Sequence, residues 1–172
     1  MALLVVVNVF INFTIRIDLQ RGERQPDSTL IRRLLMHKML PKAFLFEISS
    51  YRKIGPAAPP VKTSKGWLTT FHAVRKVKRE IYAWHRDCHK IYYAGIMLLD
   101  LNNPEKIIGM SQSPLIIPDH PYELEGLRGE VAFPGGMILE DSGEVKIYYG
   151  AADTTECLAI TNVDYLLKLC GV

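Results

Sequence analysis

Four side chains able to hold a metal fall close together at His85, Asp87, Cys88 and His89. On a strand, alternation would scatter them over two faces, and no second cluster lies nearby, so no metal site is expected. The three cysteines, Cys88, Cys157 and Cys170, are an odd number at long spacings. They make neither a disulfide framework nor a paired metal motif, and read as reduced thiols of a cytoplasmic protein. The glycine pair of FPGG, Gly135 and Gly136, has no helix after it and reads as a turn or bulge rather than a phosphate cradle. By residue type alone, Lys53 is a solvated cation, His72 a histidine at a strand end and Asp153 an Asx-turn residue, with Glu123, Glu125 and Glu130 as surface carboxylates. Trp67 has a face suited to a pyranose ring, but its setting reads as core. The run RKVKREIYAWHRDCHK, Arg75 to Lys90, gathers basic residues around Tyr82 and Trp84, as a nucleic-acid surface does; Glu80 and Asp87 dilute it, and an exposed hairpin is the simpler reading.

The elements that must position these groups are mostly strands. Apolar residues take every odd position from Val7 to Leu19, the period of a half-buried strand. Pro26, Asp27 and Ser28 then open a short helix that runs to Leu40 and stops at Pro41. The stretch Ile54 to Gly66 holds four of the ten prolines and reads as a loop or crossover, since proline donates no ladder bond. After it come short β-rich runs: Trp67 to Val74, Ile91 to Leu101, Lys106 to Met110, Glu130 to Leu139, Glu144 to Gly150 and Thr155 to Val163. That rhythm predicts antiparallel, all-β architecture. Asp141-Ser142-Gly143 is a hairpin loop with glycine at the positive-φ position, and Val163 to Cys170 suits a short helix or a last strand. IYYAGIMLLDL and VKIYYGAADT form a loose internal echo. In the first of them Tyr92 and Tyr93 must point to opposite faces, so at most one serves a site.

Composition bounds the function classes. With 48% hydrophobic and 23% charged residues the 172-residue chain can bury a core, which excludes global disorder. A net charge of +3, from 21 basic and 18 acidic residues, is too mild to argue for nucleic acid but leaves anionic small molecules open. The opening MALLVVV lacks a basic flank and is far shorter than the roughly 20 residues of a membrane span, so neither export nor membrane anchoring is expected.

In order and spacing, KIGPAAPPVKTSKGWLTTFHAV, IYYAGIMLLDLNNPEKIIGMSQSPLIIP, PYELEGLRGEVAFPGG and IYYGAADT resemble the second half of glycoside hydrolase family 130. The likeness runs from about Lys53 to Leu167. It implies a five-bladed β-propeller whose central channel splits β-mannosides, by phosphate in the phosphorylases and by water in related hydrolases. In such inverting reactions a carboxylic acid protonates the leaving oxygen while the nucleophile attacks from the opposite face. The resemblance gives Lys53, of the K-I-G motif, and His72, after G-W-L, as phosphate contacts. An ammonium brings point charge and a histidine donates hydrogen bonds to the same anion. It puts Asp153 at the sugar subsite, where a carboxylate accepts hydroxyl hydrogen bonds, and Glu123 near the channel. Inorganic phosphate is implied as co-substrate, with no other cofactor and no metal.

The family's general-acid aspartate and phosphate-binding arginines belong to blades before the K-I-G motif, where this sequence has residues 1–52. At roughly 40 to 50 residues per blade, two or three blades do not fit there. The expected organisation is therefore an N-terminal strand and short helix over 1–52, with RGERQPDSTLIRRLL faintly resembling the family's own start, and about two to three C-terminal blades over 53–172. No Asp before Lys53 is assigned as the acid, neither Asp18 nor Asp27. An open arc exposes strand edges and apolar faces, so a homo-oligomer is expected. Three functions are compatible with these residues: a β-mannoside phosphorylase or hydrolase, a non-catalytic carbohydrate-binding remnant, and an interaction module centred on Arg75 to Lys90.

Overall fold

The computed structural model describes residues 4–6, 51–77 and 89–172. The strand expected from Val7, the helix expected to Leu40, and His85, Asp87 and Cys88 lie outside the described residues. Within them run β1 (Leu4–Val6), β2 (Tyr51–Pro56), β3 (Val61–Lys62), β4 (Trp67–Val77), β5 (His89–Leu99), β6 (Ile107–Met110), α1 (Pro121–Leu124), β7 (Ala132–Leu139), β8 (Glu144–Ala151), β9 (Thr155–Asn162) and α2 (Val163–Leu169). They make two antiparallel sheets. One has the order β1-β9-β8-β7; the other has β2-β4-β5-β6, with β3 also laid against β4.

The strands obey the side-chain pattern. Along β8, Val145, Ile147, Tyr149 and Ala151 are buried while Lys146, Tyr148 and Gly150 are less so, the alternation of a sheet with one face on the core. β4 and β5 are covered on both faces, and their register runs unbroken from Trp67 opposite Leu99 to Val77 opposite His89. That pairing reaches the two ends of the expected 75–90 hairpin, whose residues 78–88 lie outside the described residues. Trp67 is buried and donates from Nε1 to the Leu101 carbonyl, which settles it as core. Gly143 has φ +85°, the left-handed conformation its hairpin needs, and the β7–β8 register shifts between Pro134 and Gly136, so the FPGG pair makes a bulge. Asn162 caps α2 by accepting from the Asp164 amide at 2.8 Å, which decides the closing segment as a helix.

The proline-rich stretch is more ordered than a loop. Residues 54–56 finish β2, and β3 forms a second short strand a few residues on; among the described residues both pair only with β4. Proline is tolerated because β2 lies at the edge of its sheet among the described residues. Between the two strands, Ala58 is tied down by the buried threonines of β4: its amide donates to Thr70 Oγ1 at 3.0 Å, and its carbonyl accepts from Thr69 Oγ1 at 2.8 Å.

The sheets share one core. Leu68, Ile96 and Leu98 from the second sheet meet Met137, Val145 and Ile147 from the first, closed by Leu166 and Leu167 of α2. Leu68 and His72 lie an even number of residues apart on β4, so the face that enters this core at one end leaves it at the other. There the Tyr92 amide donates to the Glu130 carbonyl at 3.0 Å, and Tyr92 bridges to Val131, joining the two sheets.

Candidate functional site

Where the shared face emerges, a cleft of about 430 Å³ opens between the sheets, lined by Lys53, His72, Tyr92, Arg128, Val131, Phe133 and Asp153. Ligand pockets usually span about 300–1,000 Å³. Register explains the first wall. Lys53, Val74 and Tyr92 form one cross-strand row, and Gly55, His72 and Ala94 the next, all on one face. Gly55 is the neighbour that His72 requires: a Cβ there would come within 2.5 Å of Cε1 and 3.0 Å of Nε2. The imidazole lies over the bare glycine backbone, against the Phe133 ring at 4.6 Å between centroids.

His72 Nδ1 sits 3.1 Å from the Pro56 carbonyl oxygen. A carbonyl can only accept, so Nδ1 carries the proton in this bond. Burial holds the imidazole below its ordinary pKa of 6.5, with the Lys53 charge adding to it and the Pro56 bond opposing. The ring is therefore neutral at neutral pH, with Nε2 as its unprotonated, accepting nitrogen. The donor expected toward an anion is spent on the backbone, and what remains is an acceptor.

The second wall is a turn and a loop braced on each other. Ala152 and Asp153, between β8 and β9, have φ of +51° and +53°. Aspartate tolerates this region and alanine does not, so the turn stores strain that its surroundings must hold. The loop of residues 123–131 supplies the bracing: Arg128 N donates to Ala152 O at 3.0 Å, Ala152 N to Val131 O at 3.0 Å, and Leu127 N to Thr154 Oγ1 at 2.9 Å. Asp153 is thereby turned to the cleft with Arg128 beside it, Nε to Oδ2 being 3.8 Å. The Arg128 guanidinium carbon is 6.0 Å from the centre of the Tyr92 ring, at the outer reach of a cation–π contact.

Of the residues singled out from sequence, Lys53, His72 and Asp153 meet in this cleft. Glu123 is not among its lining residues. It is buried in α1, where Oε2 accepts from the amides of Asp119 at 2.8 Å and His120 at 3.0 Å, and Oε1 from the Tyr149 hydroxyl at 2.8 Å. Burial, and then this bond, push the Tyr149 phenol well above its ordinary range, so it stays a donor. Glu123 thus holds the base of the loop that carries Arg128. Glu125 and Glu130 are not lining residues either. Tyr92 faces the cleft and Tyr93 is buried, which resolves the pair. Sequence reasoning missed Arg128 altogether, since nothing in GLRGE sets it apart from a solvated loop; its place comes from backbone bonds to a turn remote in sequence. Burial raises the Cys157 and Cys170 thiols, the latter to about 12, so neither is poised as a nucleophile. Among the described residues no three His, Cys, Asp or Glu side chains converge to hold a metal, and no helix is long and apolar enough to cross a membrane.

Residues 37–171 match the family model described as beta-1,4-mannooligosaccharide phosphorylase. A beta-1,2-mannobiose phosphorylase of Thermoanaerobacter sp. (strain X514) is 36% identical over 116 residues, covering 67% of this chain and 33% of that protein. The beta-1,4-mannooligosaccharide phosphorylase of Ruminococcus albus is 33% identical over 115 residues, covering 66% and 31%. Among solved structures, the beta-1,2-mannobiose phosphorylase of Listeria innocua, in complex with beta-1,2-mannobiose, superposes with a TM-score of 0.56 at 28% identity, over 69% of this chain and 30% of that one. The matched region spans about a third of these relatives' length. With a family match over most of its residues and motifs in the same order, the chain belongs to glycoside hydrolase family 130.

Proposed function

We propose that this chain carries the phosphate and sugar contacts of a β-mannoside phosphorylase site, and that its two sheets are blades of a five-bladed propeller, starting near residue 53. One observation carries the reading: Lys53, His72 and Asp153, chosen from separate stretches of sequence, line the same cleft. In phosphorolysis a phosphate oxygen bonds to the anomeric carbon as the glycosidic C–O bond breaks, and an acid's proton goes to the leaving oxygen. Lys53 offsets the phosphate charge, His72 Nε2 accepts from a phosphate or sugar hydroxyl, and Asp153 accepts from the hydroxyls of the mannosyl unit. The paired β-1,2 and β-1,4 activities of the relatives support β-mannosides as the class without choosing a linkage.

Asp153 is the one carboxylate among the described residues lining the cleft, and it is paired with Arg128. This favours a second reading, in which the site binds without turning over unless an acid reaches it from elsewhere. Calorimetric titration with inorganic phosphate and β-mannobioses, alongside an assay for mannose 1-phosphate, tests both. Phosphate binding weakened about tenfold or more by Lys53→Ala supports the site. Release of mannose 1-phosphate would establish the full reaction, and binding without release the second reading. If wild type takes up neither phosphate nor mannoside, the site assignment is wrong.

A further inference from the structure

Asp153 is a loose partner for Arg128. At 3.8 Å the pair is an ion pair outside hydrogen-bonding distance, with the Arg128 side chain 59% exposed and Asp153 45% exposed. Such pairs are worth little when solvated, so the carboxylate does not commit the guanidinium. The Arg128 backbone, by contrast, is fixed through the hydrogen bond its N–H donates to the Ala152 carbonyl. The result is a cation on an anchored stem, above the Tyr92 ring, in the wall facing Lys53.

We propose that Arg128 is the second cation of an oxyanion site, with Asp153 as a weak partner that the anion displaces. This rests on the phosphate reading above and specifies how the ion is held. Monohydrogen phosphate carries two negative charges, three bare oxygens and one hydroxyl. Lys53 and Arg128 match the charges; the guanidinium fork, five N–H donors with no acceptor, suits two of the bare oxygens. The hydroxyl donates a hydrogen bond to Nε2 of neutral His72, whose other nitrogen is already bonded to Pro56. The site thus reads the protonation state of its anion: sulfate, with the same charge and no proton, loses the His72 bond and leaves a lone pair facing an oxygen.

The test is titration of the full chain with inorganic phosphate, then with sulfate, at fixed ionic strength and neutral pH, for wild type, K53A, R128A and R128Q. Expected are phosphate binding weakened about tenfold in both Arg128 variants and sulfate bound more weakly than phosphate by wild type. Thermal melts taken alongside check folding; R128Q keeps most of the stem and decides if R128A melts lower. D153N should tighten phosphate binding in the wild-type chain and do so less in R128Q, which a merely structural arginine would not produce. Unchanged phosphate affinity in R128Q, with K53A impaired, overturns the role of Arg128 and leaves the phosphate site standing. No phosphate binding by wild type overturns both.

Discussion

Replacing Gly55 by alanine should destabilise the protein by about 2 kcal/mol, and the same change should become mildly stabilising once His72 is removed. The new Cβ would stand 2.5 Å from His72 Cε1, where unstrained carbon contacts lie near 3.5 Å, so the ring must retreat by about 1 Å. It has nowhere easy to go, because Nδ1 is bonded to Pro56 and the other side meets Phe133. Overpacking of this kind costs about 1–3 kcal/mol and loss of the Pro56 bond about 0.5–1.5. Against this, alanine in a strand recovers about 0.5–1 kcal/mol relative to glycine. Gly55 is not among the positive-φ residues, so that gain is available. In a His72→Ala background the obstacle is gone and only the gain is left. Urea denaturation of wild type, G55A, H72A and the double variant measures the cycle. Equal destabilisation by G55A in both backgrounds would refute the argument that the glycine exists for the imidazole. Phosphate titration of G55A adds a second reading, since a displaced ring should weaken binding about as much as H72A does.

Two further outcomes are expected from the described contacts. His72 has a folded-state pKa below its ordinary 6.5, so on acidification the unfolded chain takes the proton first. Stability from this group is complete above pH 6.5 and declines as pH falls from there toward the lower folded-state value, a slope that His72→Asn should remove in pH-dependent urea melts. Tyr149→Phe deletes the donor to Glu123 Oε1 and leaves a buried carboxylate oxygen short of a partner. The expected cost is about 1–3 kcal/mol by urea denaturation, and a change under about 0.5 kcal/mol would mean that the bond is replaced by solvent.

The strands were readable because each β-rich run is bounded by turn residues that cannot continue it, as at Asp141-Ser142-Gly143. Where reading failed, the deciding contact was distant in the chain. Pro56 argued against a strand, but its missing N–H is harmless because β4 is the one partner of β2 among the described residues. Parity showed that Tyr92 and Tyr93 face opposite ways, whereas the phase depends on the row that links Tyr92 through Val74 to Lys53. Glu123 reads by type as a surface carboxylate and by resemblance as a residue near the channel; in the structure it is buried and three internal donors use its carboxylate. That Lys53, His72 and Asp153 would converge on one cleft could be expected only through the resemblance, since each has an ordinary structural reading on its own.

The cleft straddles the seam between two sheets, with Lys53, His72 and Tyr92 on one bank and Arg128, Phe133 and Asp153 on the other. Its width is therefore gauged by side chains that never touch a ligand, the layer where Leu68, Ile96 and Leu98 meet Met137 and Ile147. That layer works like the spindle of a calliper: a bulkier or slimmer residue there resets the gap between the jaws without changing which residues line them. Substitutions in the hydrophobic interior can then alter the size of what the cleft admits, leaving the residues at its mouth unchanged.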